Sequence, residues 1–323
     1  MILLVLGCKP AAQPDPDPLD TSSPIEACSW DVEGIDTSGA IYVDDDAEPD
    51  GDGSAGRPFQ TLNEGITEGH LILIHPGRYA FVELLVHRAE PVVLMGTCRD
   101  EVWIEGADSR PGVYLQAGST TQLELHDVSV TSEHHGIGAW RGLLLVDDVR
   151  VQDVSGFGIY AGSGAVVTVR NTEVDGVEAS ALGNATALVA LDGSTLIATD
   201  TQVRNALHSP ASAMGAGAEL WLERFQASEG PPGGIDVAAG VIAQDGGLVS
   251  CVDCELDDLA NAGLASIRGS HVVGDRVTIR RTHGESGYTA GLGAAGDSTM
   301  VVVESSILDI VGAGVVATDG GHV

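Results

Sequence analysis

Lysine is almost missing from this 323-residue chain, which has Lys9 and no other. With Lys+Arg at 15 and Asp+Glu at 47, the formal net charge is −32. That balance excludes phosphate-backbone binding as the main activity, because too little basic side chain is present to displace nucleic-acid counterions. It equally excludes docking on an anionic membrane surface through basic charge. Beyond the N-terminus, no stretch approaches the ~20 apolar residues that a spanning helix needs. Aromatic residues make up only 4% of the chain. Hydrophobic content of 43% against 19% charged residues separates it from disordered acidic chains. What is abundant is glycine, at 43 residues. A Gly-rich chain with a Val/Leu/Ala core implies many turns between thin, regular layers.

From about residue 112 the sequence repeats. Each unit carries a Gly-containing turn, an alternating apolar segment, a polar corner residue and a second short alternating segment. GIGAWRGLLLVDDVRV, GIYAGSGAVVTVRNTEV and GVIAQDGGLVSCVDCEL show the pattern. One turn glycine per unit gives Gly118, Gly142, Gly164, Gly193, Gly217, Gly246, Gly269, Gly296 and Gly320, a period of about 25 residues. Period-2 segments of ~3–5 residues with no helical pattern exclude leucine-rich and helical repeats. The unit is one rung of a right-handed parallel β-helix, in which stacked rungs satisfy each other's backbone and build one apolar column. Alternation directs Leu123, Leu125, Val128 and Val130 inward, and Val167, Val169 and Val174 repeat this two rungs later. Asp127, Asp148, Asn171, Asp200, Arg224, Asp253, Arg276 and Ser305 form a polar corner column. Asn and Asp suit tight left-handed bends, and the two arginines neutralise stacked carboxylates.

Residues 41–79 carry a second signature: Tyr42-Val43, an Asp/Gly loop, Gly53-Ser54, Pro58-Phe59-x-Thr61-Leu62, then Pro76-Gly77-x-Tyr79. This resembles the start of pectin-lyase-like right-handed β-helix proteins. The resemblance implies an opening strand and a short helix covering the first rung. Local chemistry agrees: Thr61-x-x-Glu64 is a capping box, Leu62 and Ile66 share one helix face, and Pro76-Gly77 closes a strand over 71–74. Because the fold hosts lyases, hydrolases, epimerases and adhesins, it says little about activity.

At the N-terminus, Val5-Leu6-Gly7-Cys8 resembles the lipobox of bacterial lipoproteins, which implies lipidation at Cys8. The apolar run is short and no basic residue precedes it. Residues 9–24 are Pro/Asp/Ser-rich and read as a solvated tether. The organisation expected is a signal segment at 1–8, a tether at 9–30, an N-terminal cap with the first rungs at 31–91, and rungs from 92 to 323 with an open C-terminal end. Cys28, Cys98, Cys251 and Cys254 are the disulfide candidates, with three possible connectivities. A Cys28–Cys98 bridge would tie the start of the folded part to its first layers. Cys251-x-x-Cys254 reads as a local disulfide or as two unpaired thiols on opposite strand faces. No second Cys or His pair stands nearby to complete a zinc site.

Two carboxylate-bearing regions qualify for chemistry. Asp44, Asp46, Asp50 and Asp52 offer a loose surface calcium site. The loop fails as an EF-hand because Arg57 stands where a bidentate Glu is required. The polygalacturonase family places Asn-Thr-Asp, Asp-Asp, Gly-His-Gly and Arg-Ile-Lys motifs on successive rungs. Asp236, Asp257-Asp258 and His283-Gly284 follow that order at roughly one-rung spacing, though Asp236 lacks its Asn-Thr prefix and no Arg-Ile-Lys follows. As an acid/base set they would have to converge on one outward face. Arg150 beside Asp148 offers a base-and-ligand pair, but alternation shows only that Arg150 points outward, as a solvated or a cross-strand arginine does, and His134 and His135, read as strand neighbours, face opposite ways.

The function expected is therefore that of an exported, lipid-anchored β-helix protein of the cell envelope, a binding or structural surface module for glycans. The alternative is a polysaccharide lyase or glycoside hydrolase. No cofactor is expected apart from calcium. The expected partners are a polysaccharide or another envelope protein, with no nucleic acid, and with a membrane only through the lipid.

Overall fold

The computed structural model describes residues 28, 30, 32, 34–80, 82–84, 91–106, 111–116, 121–181, 183, 185–228, 240–283 and 289–323. Three parallel sheets run the length of a right-handed β-helix, with 11, 10 and 10 strands among the described residues. We number the sheets by the order in which each turn visits them. The first holds Leu143–Asp147, the second Arg150–Ser155 and the third Phe157–Gly162 in one successive turn. Registers are continuous from turn to turn: Leu125 pairs with Val146, Val146 with Val169, and Val169 with Ala198.

Alternation fixes which side chains fill the interior. Leu123, Leu125, Val128, Val130, Val167, Val169 and Val174 are all fully buried. Each is worth ~1.5–3 kcal/mol of apolar burial once a neighbouring rung covers it. No rung achieves that alone. The interior is one column from Val43 to Met300.

The turn glycines sit where the repeat puts them. Gly142, Gly164, Gly193, Gly217, Gly246, Gly269, Gly296 and Gly320 have φ between 65° and 87° at the corner joining the third sheet to the first. Gly118 lies outside the described residues. At the corner joining the first sheet to the second, Asp127, Asp148, Asn171, Asp200, Arg224, Asp253 and Arg276 are all left-handed, with φ from 46° to 53°. The last member of that column is Glu304, at φ 48°, and not Ser305. The pairing of Asp275 with Val303 sets Arg276 level with Glu304, so the column assignment slips by one residue in the final rung.

Arginine recurs one rung after aspartate at these corners. The Arg224 guanidinium holds Asp200 through two bonds of 2.6 and 2.7 Å. Arg276 holds Asp253 in the same way at 2.6 and 2.8 Å. Arg268 does so with Asp245 at the corner from the third sheet to the first, at 2.5 and 2.8 Å. The Arg224 and Arg276 guanidinium hydrogen bonds hold the Asp200 and Asp253 carboxyls below the usual carboxylate range.

The N-terminal end is covered by the helix Leu62–Glu68, the one helix among the described residues. Thr61 and Glu64 form the reciprocal capping box, and Leu62 and Ile66 are buried. A disulfide joins Cys28 to Cys98 across 70 residues. A second joins Cys251 to Cys254 around the corner residue Asp253, and both its sulfurs face the interior.

Candidate functional site

The expected site residues fall in three places. Asp236 lies outside the described residues, as does Cys8. Asp257 ends a strand of the second sheet, and its carboxylate is clamped by the Arg281 guanidinium. That contact holds the Asp257 carboxyl below its ordinary range. Asp258 is the left-handed corner residue that follows, and its carboxylate lies 3.4 Å from Nδ1 of His283. The structure thus brings Asp258 and His283 together and turns Asp257 toward Arg281.

The four loop aspartates separate into two contacts. Asp50 and Asp52 are 3.4 and 3.3 Å from Arg57, the residue that breaks the EF-hand pattern. Asp44 lies 3.5 Å from the His75 imidazole and accepts the Asp46 amide. Among the described residues no group of three or more His, Cys, Asp or Glu side chains is placed to hold a metal. Arg150 bridges Asp100 at 2.9 Å and Glu173 at 3.4 Å, as an outward cross-strand partner should.

A concave site lies elsewhere, at the corner between the second and third sheets. It is a cavity of about 430 Å³ lined by Glu105, Gly106, Thr131, Ser132, Glu133, Asp153, Val154, Ser155 and Glu178. Register explains why these distant residues meet. Glu105 pairs with Thr131, Ser132 with Val154, and Ser155 with Glu178, so successive turns each contribute one layer. The lining holds four carboxylates and no lysine or arginine. Glu105 is ion-paired with Arg78, which lies over the Trp103 ring at 5.5 Å. Among the described residues, Glu133 and Glu178 have no ion pair.

The turn that follows Glu133 carries a ring stack, which lies outside the cavity lining. His134 and His135 occupy the turn between the strands Ser129–Ser132 and Ile137–Trp140, where the sequence suggests opposed strand residues. Their rings stack at 4.0 Å between centroids, because a turn does not enforce strand alternation. His135 then stacks on Phe157 at 4.9 Å and meets the edge of Tyr160 at 5.4 Å. Its Nδ1 accepts the Phe157 amide at 3.0 Å. Burial, followed by the neighbouring His134 charge, pushes the His135 pKa down to about 4. It is therefore neutral at physiological pH, with Nδ1 as acceptor and Nε2 carrying the hydrogen. The Tyr160 hydroxyl is pushed above its ordinary pKa, chiefly by burial.

Sequence reasoning misses this site because its members are separated by about one rung each and form no local motif. The signal available was register arithmetic at the second corner, together with the run Glu133-His134-His135.

No protein-family model matches the chain, and no curated protein matches it. Solved structures do. Pectate lyase Pel9A superposes with a TM-score of 0.59 at 13% identity, over 87% of this chain and 79% of that one. The alginate lyase from Paenibacillus sp. str. FPU-7 gives 0.50 at 10% identity, over 78% of this chain and 92% of that one. At these identities the likeness is one of fold, the pectin-lyase-like right-handed parallel β-helix.

Proposed function

We propose that this chain is an exported envelope protein that binds a neutral, hydroxyl-rich glycan at the corner between its second and third sheets. The observation that carries the reading is the cavity there, with four carboxylates in its lining and, in the turn that follows Glu133, an imidazole–phenyl stack next along the chain. Carboxylates accept hydrogen bonds from sugar hydroxyls, and flat rings offer apolar area to the C–H face of a pyranose. A few convergent polar groups beside aromatic surface in a concave site is the usual composition of small-ligand sites. An acidic sugar would meet four carboxylates without a lysine or arginine in the lining, on a chain of net charge −32. The two similar structures are named as lyases of pectate and of alginate, which supports a glycan as the class of ligand. Export is supported by the two disulfides, which persist in oxidising compartments. The lipobox-like Val5-Leu6-Gly7-Cys8 supplies the anchor, and a membrane fraction that is lost on Cys8→Ser tests it.

Calorimetry against panels of neutral and acidic oligosaccharides tests the binding reading. Neutral ligands are expected to bind, and Glu133→Gln and Glu178→Gln to weaken them. Binding to acidic oligosaccharides alone, or to none, overturns it.

The enzymatic reading draws on Asp258 beside His283 and on the pocket carboxylates as acid and base. Release of reducing ends or unsaturated products, with and without calcium, decides it. Turnover abolished by Asp258→Ala would replace binding with catalysis as the function.

A further inference from the structure

The third sheet carries an aromatic surface that the cavity does not use. Tyr114, Gly138 and Tyr160 lie in one register file on its outer face, and Trp140 and Gly162 in the next. A Cβ on Gly138 would fall 2.1 Å from the Tyr160 ring, and one on Gly162 would fall 2.6 Å from the Trp140 ring. Each glycine thus leaves room for a ring to lie against the backbone of the adjacent strand. Tyr160 is buried beneath its neighbours, Tyr114, Phe157 and His135 among them. Trp140 is not: it is 41% exposed, although it rests on the sheet. An indole held against backbone on one side and open to solvent on the other is already ordered, so a ligand that stacks on it meets little side-chain entropy cost.

Trp140 and the cavity are ends of one chain segment. Glu133 lines the cavity, His134 and His135 form the stacked turn, and Ile137–Trp140 then crosses the third sheet. A four-residue strand spans ~10 Å, more than one sugar ring covers. We propose that Trp140 is a stacking subsite for a pyranose ring of a neutral oligosaccharide. Its chain runs from the corner cavity across the third sheet, along the strand direction and not along the solenoid axis. This rests on the glycan reading of the cavity and adds to it a minimum ligand length and a second anchor. No basic side chain is needed, since the stacked ring contributes apolar area and the ligand hydroxyls remain in water.

The test is calorimetric binding of a neutral oligosaccharide series, from one to six units, to the full chain and to five variants. Trp140→Ala is expected to weaken tetramers and hexamers by about tenfold and to leave one- and two-unit ligands unchanged. Trp140→Phe should retain most of the affinity. Gly162→Ala keeps the indole but displaces it, and should weaken the longer ligands several-fold. Trp221→Ala removes an equally exposed indole on the first sheet and should change nothing. Circular dichroism and melting curves verify folding of each variant. If Trp140→Ala and Gly162→Ala bind the longer ligands like the parent while Glu133→Gln loses them, the subsite is overturned and the cavity reading stands. If the parent binds no member of the series, both fall.

Discussion

Trp140 and Tyr160 cross each other's strands: the Tyr160 ring lies over Gly138, and the Trp140 ring lies over Gly162. The exchange depends on both glycines at once. It also puts the two largest side chains of that region on neighbouring rungs without opening a gap between strands. A position that reads in the sequence as one more small residue is thus a seat for a ring from the next turn.

Gly138→Ala should cost stability for that reason. The new methyl would stand 2.1 Å from a buried ring, so Tyr160 must leave its rotamer or the strand must shift. Overpacking of this kind costs ~1–3 kcal/mol. Urea denaturation measures it, and the cycle with Tyr160→Ala identifies the cause. Gly138→Ala should be nearly neutral once the ring is gone. Equal cost in both backgrounds would mean that the backbone, and not the ring, resists the substitution.

The two disulfides should differ in worth. Cys28–Cys98 closes a loop across 70 residues, whereas Cys251–Cys254 spans three. On the chain-entropy account the first is worth ~4 kcal/mol and the second ~2 kcal/mol. Cys28→Ser with Cys98→Ser should therefore lower the denaturation midpoint about twice as far as Cys251→Val with Cys254→Val. Valine suits the second pair because both sulfurs lie in the apolar column. An equal loss from both pairs would contradict the loop-length account.

Much of this architecture is legible in the chain itself, and the reasons are local. Gly142, Gly164 and the other turn glycines are recognisable because each of these corners places a glycine at positive φ. Thr61 and Glu64 are recognisable because a capping box is a four-residue device. The slip from Glu304 to Ser305 shows the limit: in Val-Glu-Ser-Ser either of two polar residues fits the corner, and only the pairing with the preceding rung decides. His134 and His135 show a second limit, since alternation misleads once a strand has ended. The cavity is a third: Glu105, Thr131, Asp153 and Glu178 become neighbours only when rungs are aligned to the residue. Asp257 carries the most suggestive local motif and is spent on Arg281, a partner one rung away.

Asp127 should make the protein less stable as the solution becomes neutral. Burial, reinforced by Asp148, raises its pKa to about 6 from an ordinary value of 3.8. Between those values the folded state binds more protons than the unfolded state, so stability falls as pH rises through the window. Asparagine tolerates the same left-handed corner, as Asn171 does. Asp127→Asn should therefore add ~1 kcal/mol at pH 7, discounted because the group is half-exposed. The gain should vanish near pH 4. Denaturation midpoints from pH 4 to 8 measure it, and a gain independent of pH would assign the effect to something other than the carboxylate.

His135 acts with the opposite sign. Its pKa is pushed down to about 4 from 6.5, first by burial and then by His134. An unfolded chain protonates this imidazole below 6.5, while the folded chain keeps it neutral to about 4. The unfolded state therefore binds more protons across that interval, and stability falls as pH drops through it. The part assigned to His135 is ~2 kcal/mol after allowance for its partial exposure. Protonation also removes the Nδ1 acceptor that holds the Phe157 amide, so the ring stack beside the cavity should loosen together with the charge. Histidine resonances in a titration from pH 7 to 3.5 give the check. One imidazole should remain neutral until about pH 4 and should be the resonance lost in His135→Gln. Glycan affinity, where measured, should hold from pH 7 to 5 and then decline with that titration. An imidazole at position 135 that titrates near 6.5 would mean that the stack is open to water.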